Sequence, residues 1–352
     1  LLHVDLQENV HKFSYKQLSE LSTQAANLFI SKGIKKGDKV MLVLKRNYQF
    51  WIAIIALIKI GAIAIPATHL LTPKDLIYRN NSAGIRMIVT ANDKLIMQHV
   101  EDSLEQSPTV EFIVSTGAEV SGKWISMAKG KENASQFVRP EVVNTNSDIS
   151  LLYFTSGSSG QPKMVAHNFL YPLGHIVTAK YWHNVHEKSL HLTVADTGWG
   201  KAVWGKLYGQ WIVGAAVFVY DHEKFTPADI LAVMAKYKVT SFCAPPTIYR
   251  FLIREDLSKY DLSSLEYCTT AGEPLNPSVF DSWKNSTGLT IYEGFGQTEG
   301  SVLVANFPWF EPIPGSMGKP SPAFPIELVD PDGNPVKNGE VGEIVVRCNP
   351  EE

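Results

Sequence analysis

Short apolar runs rich in Val and Ile recur along the chain, and between them lie longer segments whose apolar residues return at helical spacing. Residues 39–44 (KVMLVL) read as a buried strand, followed by a helix over 48–60 and a second strand over 62–65. Thr72-Pro73-Lys-Asp75 predicts a helix start, with Thr72 as N-cap and Pro73 in the first turn. Further strands are predicted at 86–90, 111–114, 149–154, 191–194, 215–219, 240–243, 265–269 and 289–292, with helices between them such as 227–237 and 277–284. This alternation predicts an α/β fold of helices packed on mostly parallel sheets. Residues 115–146 are polar and weakly periodic, the texture of a surface excursion or a boundary. From Pro308 onward, Pro- and Gly-rich turns and short strands such as 343–347 predict a small β-rich unit. The expected division is 1–146 and 147–307 as two α/β subdomains, then 308–352 as the start of the β-rich one.

Length and composition narrow the function classes. The chain has 352 residues, which at about 150 residues per domain suits two folded units, or one large unit with an embedded subdomain. With 45% hydrophobic and 19% charged residues it can bury a large core, so a disordered chain is excluded. Thirty-two Lys and Arg against 35 Asp and Glu give a net charge of −3, which offers no general attraction for nucleic acid or anionic lipid. Cys243, Cys268 and Cys348 have neither zinc-site spacing nor an even count, so reduced thiols in an intracellular compartment are expected. His183, His186 and His191 are too loosely spaced for a metal site. The longest apolar stretch, 50–66, is broken by Lys59 and Gly61 and is too short for a membrane span. The opening LLHVDLQENVHKFSY lacks an initiator Met and the pattern of a signal peptide, and it reads as the start of a piece of a longer protein.

The most informative stretch is Tyr153-Phe-Thr-Ser-Gly-Ser-Ser-Gly-Gln-Pro-Lys163, directly after a predicted strand. Gly157 and Gly160 let the backbone turn and bring its N–H groups against a ligand. Thr155, Ser156, Ser158 and Ser159 add hydroxyls, and Lys163 adds a cation, which together make a cradle for phosphate. The spacing is not that of a Walker A loop, since two residues separate the glycines and Met164 follows the Lys. A flexible Ser/Gly linker is the bland alternative, but such linkers are seldom wedged between a strand and a helix.

This stretch resembles the phosphate-binding loop of the adenylate-forming enzymes, the superfamily of acyl-CoA synthetases, luciferases and peptide-synthetase adenylation domains. Thr270-Ala-Gly-Glu-Pro274, Tyr292-Glu-Gly-Phe-Gly-Gln-Thr-Glu299 and Gly315-Ser-Met-Gly-Lys-Pro320 with Gly342-Glu-Ile344 resemble three further motifs in the family's order. Phe13-Ser-Tyr15, Gly37-Asp-Lys-Val40 and Leu70-Leu-Thr-Pro73 also fit, so the likeness covers almost the whole chain. Ala195-Asp-Thr-Gly-Trp199 with Trp204 is most similar to the medium-chain acyl-CoA synthetases. The Phe-Asp pair by which peptide-synthetase domains hold an amino group does not occur between 195 and 208, which argues against an amino-acid substrate.

The resemblance implies a large adenylate-forming N-terminal domain that uses ATP, Mg²⁺ and coenzyme A to convert a carboxylic acid first to an acyl-adenylate, then to a thioester. It implies phosphate contacts from Thr155 to Lys163, an α-phosphate contact at Thr298, and Mg²⁺ at Thr155 and Glu299. Lys163, Thr298 and Glu299 form the implied catalytic set. Gly272, Glu273 and Pro274, with Glu293, Gly294, Phe295, Gly296 and Gln297, would enclose adenine, with Tyr292 or Phe295 stacking on it. Taken singly, Gly272-Glu-Pro274 is equally an ordinary turn and Glu299 a solvated carboxylate. At Gly296 the acetate-using relatives carry Trp, so Gly implies an acid pocket open to medium-chain, branched or aromatic acids, walled by Trp199 and Trp204. Gly296 serves a backbone turn equally well, and Trp at helical spacing is commonly core. A Trp at 296 is expected to narrow the range to acetate or propionate. His167, where the family often has His, either takes part in the site or helps to begin the next helix. An aryl-CoA ligase, a domain that loads a carrier protein, and an idle nucleotide-binding scaffold are the alternatives. The family's ribose-holding Asp, its hinge and its lid with a catalytic Lys would follow residue 352. The chain alone is therefore expected to bind nucleotide weakly and to adenylate poorly. The cytoplasm or an organelle matrix is the expected location.

Overall fold

The structure, a computed structural model, describes residues 1–132, 136–156 and 160–348; Gly157, Ser158 and Ser159 of the phosphate-loop sequence lie outside the described residues. Among the described residues the strands form two large sheets and one small one. The seven-stranded sheet runs in the order Trp124–Ser126, Phe112–Ser115, Ile85–Thr90, Lys39–Val43, Ile63–Pro66, Ile149–Thr155 and Lys163–Asn168. The nine-stranded sheet runs Lys319–Pro320, Val304–Ala305, Ile291–Phe295, Tyr267–Ala271, Ser241–Cys243, Leu190–Thr193, Ala216–Tyr220, Leu2–Val4 and Val10–Lys12. Most neighbours in both are parallel, as the alternating pattern predicts.

Sheet membership does not follow the division at 146/147. Leu2–Val4 pairs in parallel with Ala216–Tyr220, while Ile149–Thr155 pairs with Ile63–Pro66. The chain thus crosses between the sheets twice, a long-range pairing that local periodicity cannot register. At the other boundary, Val304–Ala305 and Lys319–Pro320 still belong to the large sheet, and Ile326–Val329 with Glu343–Val346 makes the small antiparallel one. The polar stretch after 115 also contributes an edge strand, Trp124–Ser126, in which Trp124 is buried.

A helical layer packs between the large sheets. The helix Gln49–Ile60 (QFWIAIIALIKI) is apolar on nearly every side, which suits a helix enclosed all round. It ends at Gly61, whose φ of +76° is the left-handed cap that glycine adopts without a Cβ clash. Its one cation, Lys59, reaches out to the Ser19 carbonyl and the Thr23 hydroxyl, both at 2.7 Å, on the helix Tyr15–Ser31. Trp51 is fully buried and donates from Nε1 to the Lys206 carbonyl at 2.6 Å, joining this helix to Gly200–Lys206. The same core takes in Leu151 and Tyr153 of one sheet and Val217 and Val219 of the other. Thr72 caps the helix Pro73–Ala83, as its sequence predicts, and Asp75 completes a reciprocal box with it.

Several histidines, all buried except the half-buried His222, are held as neutral rings. Burial lowers His175 and His191 to about 3, and His3 and His222 to about 4. His183 is also lowered by burial. The unfolded chain takes up these protons near pH 6.5, whereas the folded one refuses them until well below that. Stability therefore falls as pH drops from about 6.5 towards 4, by about 1.4 kcal/mol per pH unit for each such ring. A thermal-unfolding series from pH 7.5 to 4.5 should show the midpoint dropping steadily below 6.5. Replacing His175, whose two ring nitrogens have no hydrogen-bond partner, with Leu should flatten that slope.

Candidate active site

The segments singled out in the sequence gather at the carboxyl ends of the parallel strands, where open α/β sheets place their ligands. Residues 194–199 follow Leu190–Thr193, residues 244–248 follow Ser241–Cys243, Gly272–Pro274 follow Tyr267–Ala271, and the Gln-Thr-Glu segment follows Ile291–Phe295. From the other sheet, Pro66 at the end of Ile63–Pro66, with Ala67 and Thr68 after it, faces the same region.

The phosphate-loop sequence joins two antiparallel strands. Lys163–Asn168 folds back along Ile149–Thr155 as a hairpin, with Thr155 opposite Lys163, so the expected helix after the loop is replaced by a strand. Met-Val-Ala-His-Asn prefers this extended edge because it can pair with a neighbour already in the sheet. The register sets the cation directly across from the Thr155 end of the loop. Pro162 is tied down by the Tyr78 hydroxyl, which donates to its carbonyl at 2.9 Å.

A cavity of about 310 Å³ is lined by Thr155, Ser156, Pro162, Arg79, Trp199 and Thr298, among others. The hairpin and the Gln-Thr-Glu segment therefore share one cleft, although they are far apart in sequence. A larger cavity of about 560 Å³ lies on the other side of Trp199, with Lys201, Ala271, Gly272, Glu273, Pro245 and Ile248 in its wall. Trp199 lines both, and its 64% exposure leaves its ring free of the core. Trp204, by contrast, is buried and donates from Nε1 to the Tyr171 hydroxyl at 2.9 Å.

The Gln-Thr-Glu segment is a tight turn. Gln297 and Gly300 exchange backbone hydrogen bonds of 2.9 and 3.2 Å, which leaves Gln297 and Glu299 exposed and Thr298 half-buried. Val302 is buried at a φ of +52°, a conformation that a β-branched residue holds only under constraint, at a cost of about 1–3 kcal/mol. Gly296 has no room for a side chain. A Cβ there would stand 2.5 Å from the Val302 nitrogen, 2.9 Å from the Gly300 oxygen and 3.2 Å from Trp204 Cη2. Gly296 and Trp204 are thus neighbours, and the position also meets a close approach of backbone.

Other residues around the expected adenine site already have partners. Glu293 is buried, accepts from the Leu275 N–H at 3.3 Å, and has its carboxyl raised by burial. Gly294 lies against the Trp182 indole, which a Cβ would strike at 2.6 Å. Tyr292 is stacked on Tyr267 at 4.3 Å, while Phe295 is half-buried. Glu273 accepts from the Thr247 N–H at 2.9 Å and from its hydroxyl, and the hydroxyl bond chiefly holds its carboxyl below the usual range. Gly272 sits at a φ of +107° with open space where a Cβ would go.

Sequence reasoning passed over two lysines here. Lys201 is half-buried and donates to the Ala271 carbonyl at 2.8 Å, just ahead of Gly272; desolvation lowers its pKa. Lys206, 2% exposed, donates to the Thr193 and Ala195 carbonyls, and burial lowers it to about 7. The available signal was a pair of lysines set in the apolar run Trp199-Gly-Lys-Ala-Val-Trp-Gly-Lys206. Near Lys206, Arg46 reaches Asp221 at 3.4 Å and Asp196 at 3.9 Å, which ties the turn after Lys39–Val43 to the nine-stranded sheet. Among the described residues, no group of three or more His, Cys, Asp and Glu could hold a metal ion. None of their helices is long and apolar enough to cross a membrane.

Comparison with known proteins places the chain in a family. The chain is 36% identical over 350 residues to the human mitochondrial acyl-coenzyme A synthetase ACSM3, and 35% identical over 342 residues to human ACSM5. Each alignment covers 96% of this chain and 58% of the relative, so the chain spans less than two thirds of their length. Its fold superposes on an anthranilate CoA ligase, AuaEII, solved with anthranoyl-AMP, at a TM-score of 0.88 and 25% identity, covering 98% of this chain and 65% of that one. The fold also matches a Brucella canis acyl-CoA synthetase at a TM-score of 0.88, covering 98% of this chain and 63% of that one. The family model for AMP-binding enzymes matches residues 3–349, and the chain accordingly belongs to the AMP-binding enzyme family.

Proposed function

We propose that the chain is the nucleotide- and acid-binding part of an ATP-dependent, AMP-forming acid–thiol ligase. It activates a medium-chain, branched or aromatic carboxylic acid to an acyl-adenylate, from which coenzyme A takes the acyl group. The observation that carries this reading is the cleft shared by Thr155, Ser156, Pro162 and Thr298. In the first step a carboxylate oxygen bonds to the α-phosphorus of ATP as the bond to the bridging oxygen breaks, and pyrophosphate departs. In the second, the thiol sulfur bonds to the acyl carbon, AMP leaves, and the thiol proton passes to solvent or base. Both steps join anions to electrophiles, so the protein chiefly contributes alignment and positive potential.

On this reading, hydroxyls and N–H groups between Thr155 and Lys163 hold the β- and γ-phosphates, and Thr298 meets the α-phosphate. Mg²⁺ takes few protein ligands when phosphates complete its shell, so the Thr155 hydroxyl and the exposed Glu299 carboxylate form a donor set of suitable hardness. The bound ion supplies charge neutralisation on the phosphates. The larger cavity beside Gly272 and Glu273 offers the remaining reactants room, with Trp199 between the two compartments. The names of the relatives include "mitochondrial", which supports an organelle matrix alongside the cytoplasm as a location.

A ligase dedicated to aryl acids is the second reading, supported by the likeness to an anthranilate CoA ligase. The test is acid-dependent ATP–pyrophosphate exchange by the intact gene product across fatty, branched and aromatic acids, followed by product analysis with coenzyme A and with a phosphopantetheinyl carrier protein. Exchange with at least one acid and a CoA thioester as product is expected. Absence of exchange with every acid would favour the idle scaffold, and acyl transfer only to the carrier would reassign the acceptor.

A further inference from the structure

We propose that His167 is a positioning residue for adenylation, holding the Gln-Thr-Glu turn in register with the phosphate-loop hairpin; this rests on the function proposed above. The ring sits on the strand Lys163–Asn168, and its Nε2 lies 2.8 Å from the Thr298 carbonyl oxygen. A carbonyl can only accept, so Nε2 carries the proton. Among the described residues this is the one side-chain hydrogen bond made to the backbone of residues 296–302.

That turn needs an outside tie. It is crowded at Gly296, held at φ +52° at Val302, and closed on itself only by the short bonds between Gln297 and Gly300. Strained loops persist where their surroundings over-determine them. His167 has such surroundings. Its ring stacks on Tyr171 at 3.7 Å and 17°, the Tyr171 hydroxyl accepts from Trp204 Nε1, and the Trp204 ring edge closes on Gly296. A strand, the helix Tyr171–Ile176 and the helix Gly200–Lys206 thus form one wall behind the turn. Because His167 and Lys163 ride on the same strand, the wall ties the distance from Lys163 to Thr298 to the geometry of a single hairpin. An in-line displacement that spans both ends of a triphosphate depends on that distance.

The test separates the donor from the packing. His167→Phe keeps a ring against Tyr171 and removes the N–H; His167→Gln gives up the stack but keeps an amide donor of similar reach. In the intact gene product, H167F is expected to lower kcat for acid-dependent ATP–pyrophosphate exchange at least about tenfold, with a smaller change in KM for ATP. H167Q is expected to recover most of that loss. A kcat for H167F within about twofold of wild type overturns the proposal, as does an H167Q as slow as H167F. The second measurement needs no turnover: ¹⁵N-histidine spectra of the 352-residue chain near neutral pH. One ring held as the Nε2–H tautomer, and lost in H167F, is the expected result; an Nδ1–H tautomer for His167 overturns the link. If wild type shows no exchange with any acid, the proposed function fails, and the tautomer alone decides whether His167 ties the turn.

Discussion

Replacing Lys163 with alanine in the intact gene product is expected to slow acid-dependent ATP–pyrophosphate exchange by about 10²-fold, the usual loss when one preorganised charge or donor is taken from a transition state. Thr155 and Lys163 are paired across the hairpin, so the backbone of Lys163 lies opposite that of Thr155, at the end of the loop sequence. The side chain is exposed, so its removal should leave folding nearly untouched. The loss should concentrate on ligands that carry a β- and γ-phosphate. Binding of a non-hydrolysable ATP analogue should weaken, while binding of AMP stays within about twofold. Unaltered exchange kinetics would remove Lys163 from the site, and equal weakening of AMP and the analogue would mean that it acts elsewhere than at the phosphate tail.

The second large effect is expected at Gly296. As a pocket wall alone, Gly296→Trp should narrow the acid range to acetate and propionate. The structure points to a harsher outcome, because the first atom of any side chain meets the backbone of Gly300 and Val302 before it can enter a pocket. Backbone there cannot rotate aside as a flexible side chain could, so the turn that carries Thr298 must move. Overpacking of this kind costs about 1–3 kcal/mol. Displacement of the reacting geometry adds a rate loss of about 10²-fold for every acid. Gly296→Ala, with almost no volume to block a pocket, should show much of the same loss. An acid screen decides between the two readings: a G296W enzyme that uses acetate as fast as wild type uses its best acid would restore the pocket wall as the dominant role.

The cleft to which both predictions refer is built from segments more than a hundred residues apart, Thr155 and Ser156 on one side and Thr298 on the other, and there the sequence was only partly legible. Gln49–Ile60 could be read because a helix apolar on every side must be enclosed, and Gly61 marks its end. Thr72 with Asp75 could be read because a capping box is a local device. The hairpin strand Lys163–Asn168 was missed, since an edge strand of mixed polarity has no period that separates it from a helix start. His167 could be flagged by type and place but not by partner, because its acceptor is a backbone carbonyl at Thr298, which any residue would provide.

The sequence by itself determined the α/β class, the order of the motifs and the hydroxyl, glycine and lysine types proposed to meet a triphosphate, because these depend on short-range spacing and side-chain chemistry. Only the tertiary structure decided that the N-terminal strand joins the distant sheet, that the hairpin and the Gln-Thr-Glu turn line one cleft, and that Gly296 faces backbone. Those outcomes arise from strand pairing and close packing across the fold, where the partner of a residue is set by topology and by the volume left between elements.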